Sequence, residues 1–373
     1  MMRAPLVSIL IPAFNAQELI GETLRSALAQ TWPHKEIIVV DDGSTDQTLA
    51  VARRFEADGV RVVAQKNQGA AASRNNAFGV CHGDYIQWLD ADDLLAPDKI
   101  ESQMQALNKG LRDQGTSNRT LLSSGFGKFM YRWRRAQFVP TGLWNDLSPA
   151  EWLIRKMGDN LYMQTATWLV SRELTEAAGP WNTSMLSDDD GEYFCRVLLQ
   201  SDGTRFVPQA KVYYRALGSD SLSQVEQSGR KLEALWHSMQ LHIGYLRSVE
   251  DSRRSREACL AYLQRRLIYF YPDRTDLVRA AEQMARELGG QLAPPHLSWK
   301  YSWIKAVTGW GVAQRASLQL RRSKSSAKRL VDKTLFRIEN RKLGEPGQGM
   351  NSQLAEEGSW AKPAPGATSV QKP

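Results

Sequence analysis

Four short apolar runs separated by helix-period stretches govern what the first 110 residues of this chain can become. Residues 7–12, Val-Ser-Ile-Leu-Ile-Pro, are almost continuously apolar, as a strand covered on both faces requires. Residues 36–40, 61–64 and 85–89 repeat that character. Between the first two runs, Leu19, Ile20, Leu24, Ala27 and Leu28 share one helical side, which predicts a helix over residues 17–30. Two more helices are expected, from Asp46 as N-cap to Phe55 and from Gly69 to Val80. Strand and helix alternating in this order specify an α/β fold with a mostly parallel sheet and helices on both faces.

Beyond residue 110 the pattern is less regular. Ala166–Val170 reads as a strand, and Ser171 caps a short helix that stops at Gly179-Pro180. Residues 189–199 read as a helix and 206–215 as one or two strands. Residues 224–288 are helical in pattern, and a basic segment follows Pro294-Pro295. The predicted plan is a main domain over 1–223, in halves of about 1–110 and 111–223. A helical appendage over 224–295, a basic amphipathic segment over 296–343 and a disordered tail over 344–373 complete it.

Composition excludes several classes. Cys81, Cys195 and Cys259 form no CxxC pair, so neither a zinc site nor a disulfide framework is expected, and buried free thiols are. The N-terminus lacks the features of a secretory signal, and no apolar run of about 18 residues is present. No transmembrane helix is therefore expected, and the location expected is cytoplasmic. Charge is uneven: residues 297–342 hold twelve Lys/Arg and two Asp/Glu, while the rest of the chain is slightly acidic. Such a basic tail suits an anionic surface, membrane or nucleic acid.

In open parallel sheets, ligands bind beyond the carboxyl ends of the strands. Those ends here carry Pro12-Ala13-Phe14-Asn15, then Asp41-Asp42-Gly43-Ser44-Thr45-Asp46, then Lys66-Asn67-Gln68-Gly69, then Asp90-Ala91-Asp92-Asp93. Neither GxGxxG nor GxxxxGK[ST] occurs, which removes the glycine-based phosphate cradles. Asp41, Asp42, Asp90, Asp92 and Asp93 at two strand ends repel one another. A hard divalent cation, Mn²⁺ or Mg²⁺, relieves that repulsion and takes further ligands from substrate phosphates. The plainer reading, turn residues and helix caps, suits either cluster alone better than it suits both together.

These motifs resemble those of the family 2 glycosyltransferases, whose A-type fold is a Rossmann-like, mostly parallel sheet. The matching stretches are residues 8–15, 37–46, 67–75 and 88–93, followed by Gly179-Pro-Trp-Asn182 and residues 189–196. The resemblance covers about residues 6–223. It implies that Pro12, Ala13 and Asn15 line a nucleotide pocket and that Asp41 receives the base. It also implies that Arg74 faces the nucleotide-sugar and that Asp90 and Ala91 belong to the donor site with Asp92, the metal ligand. A metal on the departing diphosphate stabilises charge as the glycosidic bond breaks. The family's Glu-Asp pair reads here as Asp189-Asp190, which implies Asp190 as general base, Asp189 in acceptor or sugar binding, and Arg196 as the helix's arginine. A run of acids also suits a helix N-terminus without any catalytic role.

In one respect the chain departs from the pattern. Many members carry a His near the metal after the last strand, where this chain has Leu217. Arg215, Ser219 and Ser221 are then the candidate phosphate contacts. Trp299, Trp303, Val307 and Trp310 form a stripe beside Lys300 and Lys305, the pattern of an interfacial helix or of a packed one. The function implied is inverting transfer of a sugar from a nucleotide-sugar, by resemblance a UDP-sugar. The acceptor implied is a hydroxyl on a glycan, lipid-linked or cell-envelope molecule. Peripheral membrane contact through 297–342 is expected, and nucleic acid is not the expected partner. The alternatives are a non-catalytic nucleotide-sugar-binding protein and a nucleotidyltransferase.

Overall fold

The computed structural model describes residues 4–113, 117–217, 229–295 and 310–342. The chain opens with β1 (Val7–Ala13), α1 (Ile20–Leu28), β2 (Lys35–Asp41), α2 (Thr48–Arg53), β3 (Val60–Ala64), α3 (Ala70–Val80) and β4 (Tyr85–Trp88). The middle comprises β5 (Leu94–Leu95), α4 (Lys99–Arg112), β6 (Thr120–Phe129), β7 (Gln137–Phe138), α5 (Pro149–Gly158), β8 (Val170–Ser171), α6 (Arg172–Ala178), α7 (Asp189–Gln200) and β9 (Gly203–Arg215). Then come α8 (Gly229–Val249), α9 (Arg253–Arg266), α10 (Thr275–Glu287) and α11 (Trp310–Lys342).

The alternating first segment makes the expected sheet, in order β3-β2-β1-β4-β8. Its first four strands are parallel, and β8 pairs antiparallel at the edge. The register sets Ala13 beside Asp41 and Asp41 beside Ala64, so the polar loops after β1, β2 and β3 emerge level with one another. Ile9, Leu10, Ile11, Ile38, Val39 and Val40 are fully buried, as a strand covered on both faces demands.

A second sheet, β5-β9-β6-β7, was not foreseen from the sequence. β6 and β9 run parallel over most of their length, and β5 clips Leu94-Leu95 to β9 immediately after the Asp90–Asp93 turn. Ala166–Val170 also departs from expectation: residues 165–167 form a 3-10 turn, and only Val170-Ser171 pairs as strand. The cause is local, because the Gln164 side chain accepts the Ala166 N–H and the Thr167 hydroxyl donates to the Gln164 carbonyl. Asp46 likewise sits one residue ahead of the cap: its carboxylate accepts the Thr48 N–H at 2.9 Å, and α2 begins there. Ser171 caps α6 as expected, accepting the Leu174 N–H at 3.1 Å.

Leu235, Met239 and Ile243 of α8 and Cys259, Tyr262 and Leu263 of α9 belong to the same apolar core as β1 and β4. All three cysteines are buried and free. Among the described residues no helix is long and apolar enough to cross a membrane. The tryptophan stripe at 299–307, the predicted tail at 344–373, and Ser219 and Ser221 lie outside the described residues.

Candidate active site

The loops after β1 and β2 are tied together side chain to backbone. Asn15, at φ 49°, accepts the Thr45 N–H at 2.9 Å through Oδ1, while its own N–H donates to Ser44 Oγ at 3.0 Å. Gly43 has φ 69°, and a Cβ there would stand 2.9 Å from the Asn67 nitrogen. Only glycine fits that position. Pro12 and Ala13 end β1 at the rim of this loop pair.

The paired aspartates after β2 divide their work. Asp42 accepts from Gln65 Nε2 at 2.7 Å and from the Gln68 and Gly69 N–H groups at 2.9 and 2.8 Å, so it holds the loop leading to α3. Among the described residues the Asp41 carboxylate accepts only the Ser44 N–H, through Oδ2 at 3.1 Å. Its Oδ1 is buried, with no hydrogen-bond partner among the described residues. A buried, unpaired carboxylate oxygen is costly unless a donor arrives to meet it.

Asp90 to Asp93 form a tight turn, with the Asp93 N–H donating to the Asp90 carbonyl at 3.1 Å. Asp93 is fully buried and structural: it accepts the Arg215 N–H at 2.7 Å and the Gln164 side-chain amide. Arg215 also braces this turn. Its guanidinium, 1% exposed, donates to the Asp92 carbonyl at 2.7 Å and the Met130 carbonyl at 3.2 Å, and pairs with Glu22 at 2.5 Å. Three of its five N–H donors are thus engaged within the protein, so the structure gives Arg215 a bracing role that the sequence had not suggested beside the expected phosphate contact. Asp92 itself is partly buried; burial and the neighbouring Asp90 charge push its carboxyl up to about 6. Ala91 offers its carbonyl to the Thr23 hydroxyl at 2.9 Å.

Arg74 joins the two ends of the site. It lies on α3, 7% exposed, and donates to Asp90 Oδ1 at 2.7 Å and to Asp189 Oδ2 at 2.9 Å. Its guanidinium carbon stands 4.4 Å from the Trp181 ring centroid, and Trp181 stacks on Tyr193 at 4.0 Å. The donor-side and acceptor-side residues expected from sequence therefore meet at one side chain.

Asp189 and Asp190 open α7, where the helix dipole favours negative charge. Burial, then the charges of Asp189 and Asp188, push Asp190 up to about 7. Its Oδ2 lies 3.5 Å from the Thr165 hydroxyl, at the end of the unforeseen 3-10 turn. Arg196 anchors the same helix through Glu192 at 2.7 Å and the Pro180 carbonyl at 2.9 Å, and does not reach the carboxylates. Thr165, Ser238 and Tyr245 went unnoticed in the sequence, since no spacing ties them to the motifs.

Residues 8–176 match the profile of a family described as glycosyl transferase family 2. Chondroitin synthase of Escherichia coli is 43% identical over 111 residues, which is 29% of this chain and 16% of that protein. A Bacillus subtilis (strain 168) protein named for teichuronic acid biosynthesis, the glycosyltransferase TuaG, is 41% identical over 104 residues, 27% of this chain and 41% of its own. The matches thus span under half the length of these relatives. Among solved structures, residues 1–349 of S. aureus TarS in complex with UDP-GlcNAc superpose with a TM-score of 0.60 at 16% identity. That superposition covers 76% of this chain and 81% of that one. The same protein with UDP gives 0.55 at 17% identity, over 92% and 93%. At such identity the likeness is one of fold.

Proposed function

This chain carries a family 2 glycosyltransferase domain of the A-type fold, and from that premise we propose that it is an inverting, nucleotide-sugar-dependent glycosyltransferase. The observation that carries the reading is the Arg74 bridge, which sets Asp90 of the donor side and Asp189 beside Asp190 around one guanidinium. Asp41 Oδ1, buried and unpaired, suits a ring N–H of a nucleotide base. UDP-sugars are the donors proposed, since the TarS structures hold UDP-GlcNAc and UDP and the chain shares their fold.

In the proposed reaction an acceptor hydroxyl attacks the anomeric carbon from the face opposite the diphosphate. The new C–O bond forms as the sugar–phosphate bond breaks, with inversion, and the bonding pair leaves with the nucleoside diphosphate. Asp190 takes the hydroxyl proton; a carboxyl held near 7 is matched to that task at neutral pH. Asp189, fixed by Arg74, orients the acceptor or transferred sugar. Asp92 fits as the ligand of a divalent cation: burial and Asp90 already raise its proton affinity, the signature of a carboxylate short of positive charge. Mn²⁺ or Mg²⁺ bound there supplies charge to the departing diphosphate. Among the described residues no three His, Cys, Asp or Glu side chains form a closed cage, so such a cation would draw most ligands from substrate.

The acceptor proposed is a growing glycan or lipid-linked saccharide of the cell envelope, the setting that the relatives' names suggest. Exposed Leu320, Leu330, Val331, Leu335 and Ile338 among the Lys and Arg side chains of α11 support peripheral contact with an anionic, cytoplasmic membrane face. The test is a donor screen with purified protein, scoring nucleoside diphosphate release with Mn²⁺, Mg²⁺ or EDTA. Metal-dependent release from a UDP-sugar is expected. Full turnover in EDTA would remove the role of Asp92, and release from no nucleotide-sugar would remove the enzyme reading.

A further inference from the structure

The helices after β9 lie beyond the matched family region, yet one face of α8 reaches the start of α7. Ser238 Oγ donates to Asp188 Oδ2 at 2.6 Å, and Tyr245 OH donates to Glu192 Oε1 at 2.7 Å. His242 sits between them, fully buried, with Nδ1 3.7 Å from Asp188 Oδ2 and 3.0 Å from the Tyr262 hydroxyl. Positions 238, 242 and 245 share one helical face. The two anchored residues, Asp188 and Glu192, flank Asp190 symmetrically in sequence.

The anchored turn is not a relaxed one. Asp188 has φ 58°, in the left-handed region that few non-glycine residues adopt. Its Oδ1 would stand 2.2 Å from a Cβ at position 191, so Gly191 alone lets the carboxylate fold over the helix start. Strain of this kind persists only where surrounding contacts fix it. Arg196 also holds Glu192, at 2.7 and 2.9 Å.

We propose that α8 is a positioning element for the active site: Ser238 and Tyr245 pin the Asp188 and Glu192 ends of the turn, with His242 packed between, and so fix the orientation of Asp190. The proposal rests on the reading of Asp190 as the general base. None of the three α8 residues is placed on the substrate; they act through the turn. Releasing either pin lets the left-handed turn relax, and a displacement of about 1 Å at a reacting group costs on the order of a hundredfold in rate.

The test uses the full chain, the best UDP-sugar of the donor screen and its acceptor. Ser238→Ala, Ser238→Thr, Tyr245→Phe and Asp190→Asn are compared by kcat, KM and thermal midpoint. Ser238→Ala and Tyr245→Phe are expected to lower kcat by about tenfold to a hundredfold with donor KM within about twofold. Ser238→Thr, which keeps the hydroxyl, is expected to retain most of the rate. Wild-type kcat in both pin variants with an inactive Asp190→Asn would overturn the positioning role and leave the base standing. Full activity in Asp190→Asn would remove the base and this proposal with it. A lowered thermal midpoint with unchanged kcat would mark α8 as merely structural, which also overturns it. Should Ser238→Ala fail to fold, Tyr245→Phe carries the same comparison, since it deletes one hydroxyl from a partly buried ring.

Discussion

Removing the Arg74 guanidinium would strand two carboxylates, Asp90 and Asp189, that now share it. Breaking a buried ion pair by deleting one partner costs about 3 kcal/mol or more, and the partial exposure of both acids keeps this case at the low end. Arg74→Ala is therefore expected to lower stability by about 3 kcal/mol in urea unfolding. Arg74→Lys should recover part of that stability and little of the activity, because one ammonium cannot reproduce a planar fork held against Trp181. Equal activity in Arg74→Lys and the parent would contradict the bridging role. At this scale the sequence was readable for placement on the fold: Asp41 ends β2, Arg74 lies on α3, Asp90 follows β4 and Asp189-Asp190 open α7, as the pattern predicted. Only the family resemblance distinguished Asp41 from Asp42 and Asp92 from Asp93; the residue pattern by itself did not. Those pairs differ only in which backbone N–H groups and side chains reach them, and the partners come from distant segments.

The elements that were legible are those whose burial shows in their own sequence. β1 to β4 are continuous apolar runs between helical patterns, and their boundaries came within a residue or two of the structure. β6 and β9 were harder because much of their pairing is with each other across 80 residues, a relation that no local pattern records. Residues 165–167 look like strand and fold as a turn because Gln164 and Thr167 satisfy the backbone locally. Two glycines test this local logic in opposite directions. Gly43→Ala must place a Cβ at positive φ and 2.9 Å from the Asn67 nitrogen, so a loss of about 1–3 kcal/mol is expected. Gly79→Ala, at an exposed helical position of α3 with no atom within 4 Å of the added carbon, should gain about 0.5–1 kcal/mol. Chemical denaturation of both variants measures the pair, and a stabilised Gly43→Ala would refute the loop geometry.

Across the whole molecule, the last described helix, α11, folds back onto the α/β body. Asp332 of α11 accepts the Tyr131 N–H at 2.9 Å and pairs with Arg132 at 2.7 Å, while Lys333 reaches Glu18 at 3.2 Å. These contacts dock the basic helix against the loops after β1 and β6 and leave Leu330 and Val331 exposed. Vesicles containing phosphatidylglycerol are expected to sediment the protein, and phosphatidylcholine vesicles are not. Binding should fall with added salt and with Leu330→Asp. Equal binding to both vesicle types would refute the electrostatic part of the membrane reading. The sequence revealed that this segment is basic; which of its apolar residues face outward followed only from the docking of α11.

The central claim is that Asp190 removes a proton from the acceptor in a nucleotide-sugar transfer, and its pH dependence tests that claim most directly. Burial and the adjacent carboxylates hold Asp190 near 7, and the base works only when ionised. The measurement is kcat/KM for diphosphate release across about four pH units centred on neutrality, in the parent and in Asp190→Asn. The parent is expected to lose about tenfold per unit below a midpoint near 7 and to level off above it, with Asp190→Asn lower by about a hundredfold or more and lacking that limb. A variant that keeps both the rate and the acid limb of the parent would contradict it.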